Sequence, residues 1–469
     1  MKGWGRRWFR RCFTSGALGF VFVVGGNLHA QSGASAGDGA LEREFQDAMS
    51  AQDRGDLNKA VSILVALRSK HSGIFAVDES LGLIYVAKEE FDLALPVLKA
   101  AAEGSPSSDL AHANLGAVYL KLGKHDEAAR ELQIAVKLNP NNKDAQENLG
   151  QALAASGNPA EAAKALGRAV ALDPANSDLH YNWAAVLFDA GEVDQAAQAL
   201  ASMPNQGTVP QAQALLGEIA EKQGKFLEAA EHFQNAAKLD PSEANIYALG
   251  MEYLKHWTFD PAIKFFEYGM EKYPNSQRML LGLGIARYAI NQPELAAPIF
   301  ARLLDADPEN ALYADMLGKS CTLMPDAIKE CGRLEQFAEA HQDNASIDTY
   351  AATNILTNPS NTPNLPLAAK LLDAAIHSDP KLAEAHYERG MLLQSEEKWR
   401  ESIADLEAAV ALKPEWSKAH YRLGLACSRV GNKDKAREEF ALEKKYREEK
   451  KDDIDARLRD IKIFMVATP

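Results

Sequence analysis

The sequence predicts an all-α fold, a right-handed superhelical solenoid of about 11–12 stacked helix-turn-helix units. Three observations lead there. Pro106, Pro140, Pro174, Pro241, Pro274, Pro308, Pro380 and Pro414 recur at intervals of 34, 34, 67, 33, 34, 72 and 34 residues. Each closes a run of helical apolar spacing, where the ring removes a backbone donor and restricts the preceding residue. Finally, "LGAVYLKLGKHDEAARELQIAVKLNPNN" at 115–142 is followed by "LGQALAASGNPAEAAKALGRAVALDPAN" at 149–176, with glycine, two alanines and proline at the same offsets.

One period justifies the rest. Leu110, Ala113, Leu115, Tyr119 and Leu122 fall near one another at helical spacing, and Ala128, Leu132, Ala135 and Val136 form a second stripe. Gly123 suits the end of the first helix, and Asp126 and Glu127 suit the positive N-terminus of the second. Each period is therefore a pair of antiparallel helices. Such a pair cannot bury both stripes alone, so pairs must stack in single file, at a constant offset that makes a superhelix lined inside by first helices. Small residues at Gly116, Ala128 and Ala135 let the backbones approach closely, while Tyr119 and Leu132 fill the gaps between.

This skeleton resembles the tetratricopeptide repeat, and the resemblance covers nearly all of residues 41–442. Leu81-Gly82, Tyr85, Ala94, Leu98, Ala101 and Pro106 match it, as do Leu115-Gly116, Tyr119, Ala128, Leu132, Ala135 and Pro140. Leu149-Gly150, Ala162, Ala169 and Pro174 continue the series. Trp183-Ala184, Ala196 and Leu200 mark a variant unit without the proline. Further units centre on Gly217, Gly250, Gly284, Gly318, Gly390 and Gly424, the last followed by Ala436. The first unit is degenerate, with Ala48 and Ala60 as its markers, and "NPSNTPNLP" is an insertion in the turn of a late one. Expected starts lie near 41, 75, 109, 143, 177, 210, 243, 277, 311, 345, 383 and 417, and residues 443–469 form a polar capping helix and tail.

The N-terminus differs. Residues 1–13, "MKGWGRRWFRRCF", are basic, Ala17–Gly26 are apolar or glycine, and small Ala30 follows. That order reads as a secretory signal over 1–30, cleaved near Ala30, with a flexible tether over 31–40 and a periplasmic or secreted mature protein. Arg6-Arg7-Trp8-Phe9 also resembles a twin-arginine motif, so either export route fits. Without the signal's five cations the net charge moves from −14 to −19, which disfavours nucleic acid as a partner. Membrane contact is expected only through the signal segment or an envelope complex.

No Walker loop, HExxH, GxSxG or CxxC occurs. His112, His180, His386 and His420 all stand fourth in a first helix and are read as packing residues, most of them units apart and so unable to share a metal. The acid pairs Glu89-Glu90 and Glu396-Glu397 fall in turns. No catalytic residue, metal or cofactor is predicted. In the repeat pattern the positions of Cys321 and Cys331 face each other across the two helices, so they form either a disulfide or two buried thiols; Cys427 is read as a core residue.

The resemblance implies a concave wall that binds peptides through exposed first-helix positions. Asn114, Asn148 and Asn182 all stand sixth, and a row of amides pairs with an extended backbone of any sequence; the alternative is tolerated surface asparagine. Asp144, Glu147, Asp178 and Asp189 would favour a basic ligand. Lys418 and Arg422 occupy positions two and six, as in carboxylate clamps of the family, although Glu388 stands where the clamp has asparagine. The reading is a non-catalytic protein- or peptide-binding scaffold; the alternative is a structural assembly factor of an envelope or secretion complex, acting through its convex surface and ends. Oligomeric state is not legible.

Overall fold

In the computed structural model, residues 38–324, 328–341, 344–357 and 364–449 are described. They hold 24 α-helices and no strand. Two compact units divide between Leu239 and Asp240.

The first unit contains α1 (Asp38–Asp53), α2 (Leu57–Lys70), α3 (Phe75–Ala87), α4 (Phe91–Gly104), α5 (Asp109–Lys121), α6 (His125–Leu138), α7 (Lys143–Ala155), α8 (Pro159–Leu172), α9 (Ser177–Asp189), α10 (Val193–Ala201), α11 (Pro210–Lys222) and α12 (Phe226–Leu239). The second contains α13 (Glu243–Lys255), α14 (Phe259–Lys272), α15 (Gln277–Ala289), α16 (Pro293–Ala306), α17 (Ala311–Thr322), α18 (Arg333–Ala340), α19 (Ala345–Thr357), α20 (Leu365–Ser378), α21 (Ala383–Ser395), α22 (Trp399–Leu412), α23 (Ser417–Arg429) and α24 (Lys433–Glu449). Each odd-numbered helix packs on the even-numbered one after it, giving six hairpins per unit.

Hairpin turns share one device. In the ten hairpins whose turn is described, the residue fifteenth from the start of the repeat has positive φ, and in six of them it is glycine, as with Gly123 (φ 71) and Gly157 (φ 80). Elsewhere the same place holds Glu89 (φ 58), Trp257 (φ 58), Asn291 (φ 61) or Glu397 (φ 61). The turn is thus dictated by hairpin geometry, and side chains are forced into it where glycine is missing.

Helix crossing depends on a second device. A Cβ added to Gly82, Gly116 or Gly150 would stand 2.5 Å from Leu98, Leu132 or Leu166, and one on Gly250 or Gly284 would stand 2.7 or 2.9 Å from Phe266 or Phe300. In each case the large residue comes sixteen positions later, on the second helix of the same hairpin. Ala94, Ala128 and Ala162 are fully buried at the same crossings, and Ala436 is buried in the last hairpin. Tyr85 and Tyr119 are half-buried between hairpins, and Pro140 and Pro174 follow the second helices in the exposed connections.

Two expectations, the tether and the place of Cys331, are corrected, and the variant hairpin shows a shortened second helix. The tether expected over 31–40 ends early: Asp38, Gly39 and Ala40 already belong to α1, because the helix that buries Phe45, Ala48 and Ala51 extends a turn ahead of them. In the variant hairpin, α10 spans nine residues and a 3-10 turn, Gln206–Thr208, replaces its missing end. In the hairpin after Pro308, Cys331 lies not in the second helix but in a 3-10 turn, Lys329–Gly332, ahead of a helix of eight residues. There Tyr350 of the next hairpin lies against Gly318, in the place a second-helix side chain fills elsewhere. Residues 1–37 and 450–469, and most of the "NPSNTPNLP" insertion, lie outside the described residues.

Candidate functional site: the first-helix face

First helices of successive hairpins touch directly, as α3 does α5, α5 does α7 and α9 does α11 in the first unit. Side chains at the fifth position of one helix and the sixth of the next therefore meet instead of standing open to water. Asn114 and Asn148 are each only 1% exposed, which corrects the expectation of an exposed amide row. The physical reason is close packing: the neighbouring first helix covers position six. Asn114 Nδ2 donates to Glu79 Oε1 at 3.2 Å, and Asn182 is half-buried.

Carboxylates share this face. Burial pushes the Glu79 carboxyl up to about 7, with the hydrogen bond from Asn114 opposing and the charge of Asp109 adding. Burial likewise raises Glu147, with Asp144 adding, Lys143 opposing, Asp178 adding and the bond from Gln151 opposing. Gln151 Nε2 donates to Glu147 Oε1 at 3.3 Å. Sequence reading missed Glu79 and Gln151. The signal was present, since Glu79 and Glu147 both stand fifth in their first helices, but only packing shows that the fifth position of one helix meets the sixth of the next.

In the second unit the corresponding face is mixed. Arg422 hydrogen-bonds Tyr387, and Lys418 is exposed. Burial pushes the Glu388 carboxyl up to about 7 against the effects of a bond with Thr353 and of the Arg422 and Lys418 charges. Arg422 and Lys418 thus already face an internal carboxylate. Gln394 Nε2 donates to the Arg422 carbonyl at 2.9 Å, tying adjacent first helices.

The histidines at position four have one structural task. Nε2 of His112, His180, His386 and His420 donates to the carbonyl of Pro106, Pro174, Pro380 and Pro414 at 3.2, 3.1, 3.1 and 2.8 Å. Gln146 does the same for Pro140 at 3.1 Å. A carbonyl only accepts, so each ring or amide supplies the hydrogen that satisfies the last turn of the preceding hairpin. Cys321 is disulfide-bonded to Cys331 with Cα atoms 6.0 Å apart, and Cys427 is a buried free thiol. Among the described residues no three His, Cys, Asp or Glu side chains group as a metal site, and no helix is long and apolar enough to cross a membrane.

Stacked helical hairpins with a glycine-centred crossing and a polar inner face define the class: a repeat scaffold for protein interaction. Models described as tetratricopeptide repeat match residues 113–177, 247–311 and 387–448, residues 153–219, and residues 210–243. The chain belongs to the tetratricopeptide-repeat family. No curated protein matches it at a significant level. Among solved structures, it is similar to the Naa15/Naa10 assembly bound to HypK-THB at 16% identity, covering 86% of this chain and 68% of that one, with a TM-score of 0.38. PilF of Pseudomonas aeruginosa is 22% identical over 44% of this chain and 94% of its own, with a TM-score of 0.36. PilW, a type IV pilus biogenesis factor, is 18% identical over 44% of this chain and 96% of its own, with a TM-score of 0.37.

Proposed function

We propose that this protein is an exported, non-catalytic adaptor that holds an extended, basic protein segment along its first-helix face. One observation carries the reading: the inner face of α3, α5 and α7 is lined with polar side chains, Glu79, Asn114, Glu147, Asn148 and Gln151, in places where alanine would pack. Burying such groups costs stability unless something repays it, and carboxylates perturbed by burial cluster at functional sites. Asn182 continues the row at its open end, and Asp178 and Asp144 add negative charge. Export rests on the basic and apolar order of residues 1–30, and the mature chain would act in the periplasm or outside the cell.

The experiment is capture from an envelope fraction by crosslinking, comparing wild type with an Asp144→Asn, Glu147→Gln and Asp178→Asn triple variant, changed at accessible acids of the first-helix face, and with a variant changed on the second-helix surface. Loss of capture in the triple variant alone, at unchanged helicity, supports the reading. Loss only in the second-helix variant would transfer function to the convex surface. Sequencing the exported protein's N-terminus tests cleavage after Ala30.

A further inference from the structure

The hairpin after Pro308 is built unlike the others. Its α17 packs on α16 before it and on α19 of the following hairpin, but meets α18, its own second helix, at few points. The side chain nearest Gly318 is accordingly Tyr350 of α19, where the other crossings use a residue of the second helix. At eight residues α18 is too short to stay helical alone, and it buries only Leu334, Phe337 and Ala338. Arg333 donates to both oxygens of Asp305 at 2.6 and 2.8 Å, and His341 Nε2 lies 2.8 Å from Glu309 Oε2, but both pairs are exposed and hold little. One part-buried bond, from Asn354 Nδ2 to Glu335 Oε1 at 2.9 Å, joins α18 to α19. The disulfide supplies what packing does not: it ties Cys321 in the last turn of α17 to Cys331 in the 3-10 turn that leads into α18. Its two ends are unequally placed. Cys331 is fully buried, whereas Cys321 is half-buried beside exposed Thr322 and Leu323.

We propose that Cys321–Cys331 is a redox site that latches α18, opened by a vicinal dithiol and releasing α18 while the rest of the second unit stays stacked. The thiolate of such a reagent attacks the half-buried Cys321 Sγ, and the S–S bond breaks towards Cys331, which takes a proton. The reagent's second thiol then closes its own disulfide and expels the Cys321 thiolate, which takes the second proton. Two electrons and two protons thus pass from dithiol to protein, and a disulfide reagent reverses the sequence. Stacking survives the release because α17 touches α19 directly and so runs past α18. The latch works the same way whichever face holds a partner.

In the full mature protein, hydrogen exchange read by mass spectrometry compares the oxidised chain, the chain reduced with dithiothreitol, and a Cys321→Ser, Cys331→Ser double variant with and without that reagent. Amides of α18 should exchange about ten- to a hundredfold faster once the bond is open, and those of α15, α16 and α22 should stay within about twofold. Oxidised glutathione should restore slow exchange in wild type alone. Iodoacetamide labelling at Cys321 verifies that the bond was reduced in the folded chain, and if the double variant fails to fold, reduction of wild type carries the test. Unchanged exchange in α18 after verified reduction would show that the bond holds nothing. Equal acceleration from α17 to α23 would make it a brace for the whole unit, and a bond that dithiothreitol leaves closed would be sealed from thiols. Each of these three results overturns the latch.

Discussion

His112 bridges two hairpins by itself: Nε2 donates to the Pro106 carbonyl, and Nδ1 lies 2.7 Å from Glu131 Oε2 on α6. Because Gln146 performs the first of these tasks in the next hairpin, His112→Gln should keep most of the stability that His112→Ala loses. The alanine variant should cost about 1 kcal/mol, for the lost hydrogen bond to the part-buried Pro106 carbonyl, and urea unfolding measures both. Equal losses would show that the imidazole matters for volume and not for the bond. Glu79 gives a pH prediction. Its carboxyl is raised from 4.5 to about 7 in the folded chain, so the native state holds the proton over that window while the unfolded state releases it. The contribution of Glu79 is therefore fully present below about pH 4.5 and is lost as pH rises through about 7. Glu79→Gln should match wild type near pH 5 and exceed it by about 1–2 kcal/mol near pH 8, after allowance for residual exposure. Glu243 has the opposite sign. Hydrogen bonds from Arg278 and Ser276 hold it down to about 2, so its contribution exists above about pH 4.5 and disappears as pH falls towards 2. The glycine and alanine skeleton was fully legible in sequence. The Asn114–Glu79 bond was not, since it depends on which faces of neighbouring helices meet.

Turns and crossings decide stability at the scale of the element. Glu397 occupies a left-handed turn site that glycine fills in most other hairpins, and its side chain is exposed. Glu397→Gly should therefore stabilise the second unit by about 1 kcal/mol, read as a shift in unfolding midpoint. Ala128, fully buried at the α5–α6 crossing, leaves no room for growth. Ala128→Leu should lower stability by roughly 1–3 kcal/mol, and an unchanged melting temperature would refute the crossing geometry. The hairpin after Pro308 has only eight residues in α18, and the Cys321–Cys331 bond closes a span of ten residues there. By loop-closure entropy, removing it with Cys321→Ser and Cys331→Ser should cost roughly 2–3 kcal/mol. The period near 34 residues and the recurring prolines placed these helices, but the shortening of α10 and α18 carried no comparable mark. Short helices are chosen when neighbouring side chains, such as Tyr350 beside Gly318, already fill the core.

For the whole molecule, contacts divide the chain at Leu239, and each side holds six complete hairpins. Repeat arrays draw their stability from neighbour contacts, so a fragment of residues 38–239 should fold with the helicity of the parent's first half and unfold in a single transition. Circular dichroism and urea titration test this, and a molten fragment would show that the two units need each other. The sequence alone determined the helical class, the period and the crossing residues, because steric exclusion at a hairpin crossing acts on single residues at fixed spacing and leaves a repeating trace. Only the tertiary structure decided which polar groups are buried and where Cys331 sits. Those outcomes depend on contacts between hairpins, where the side chain opposite each position is set by packing and not by distance along the chain.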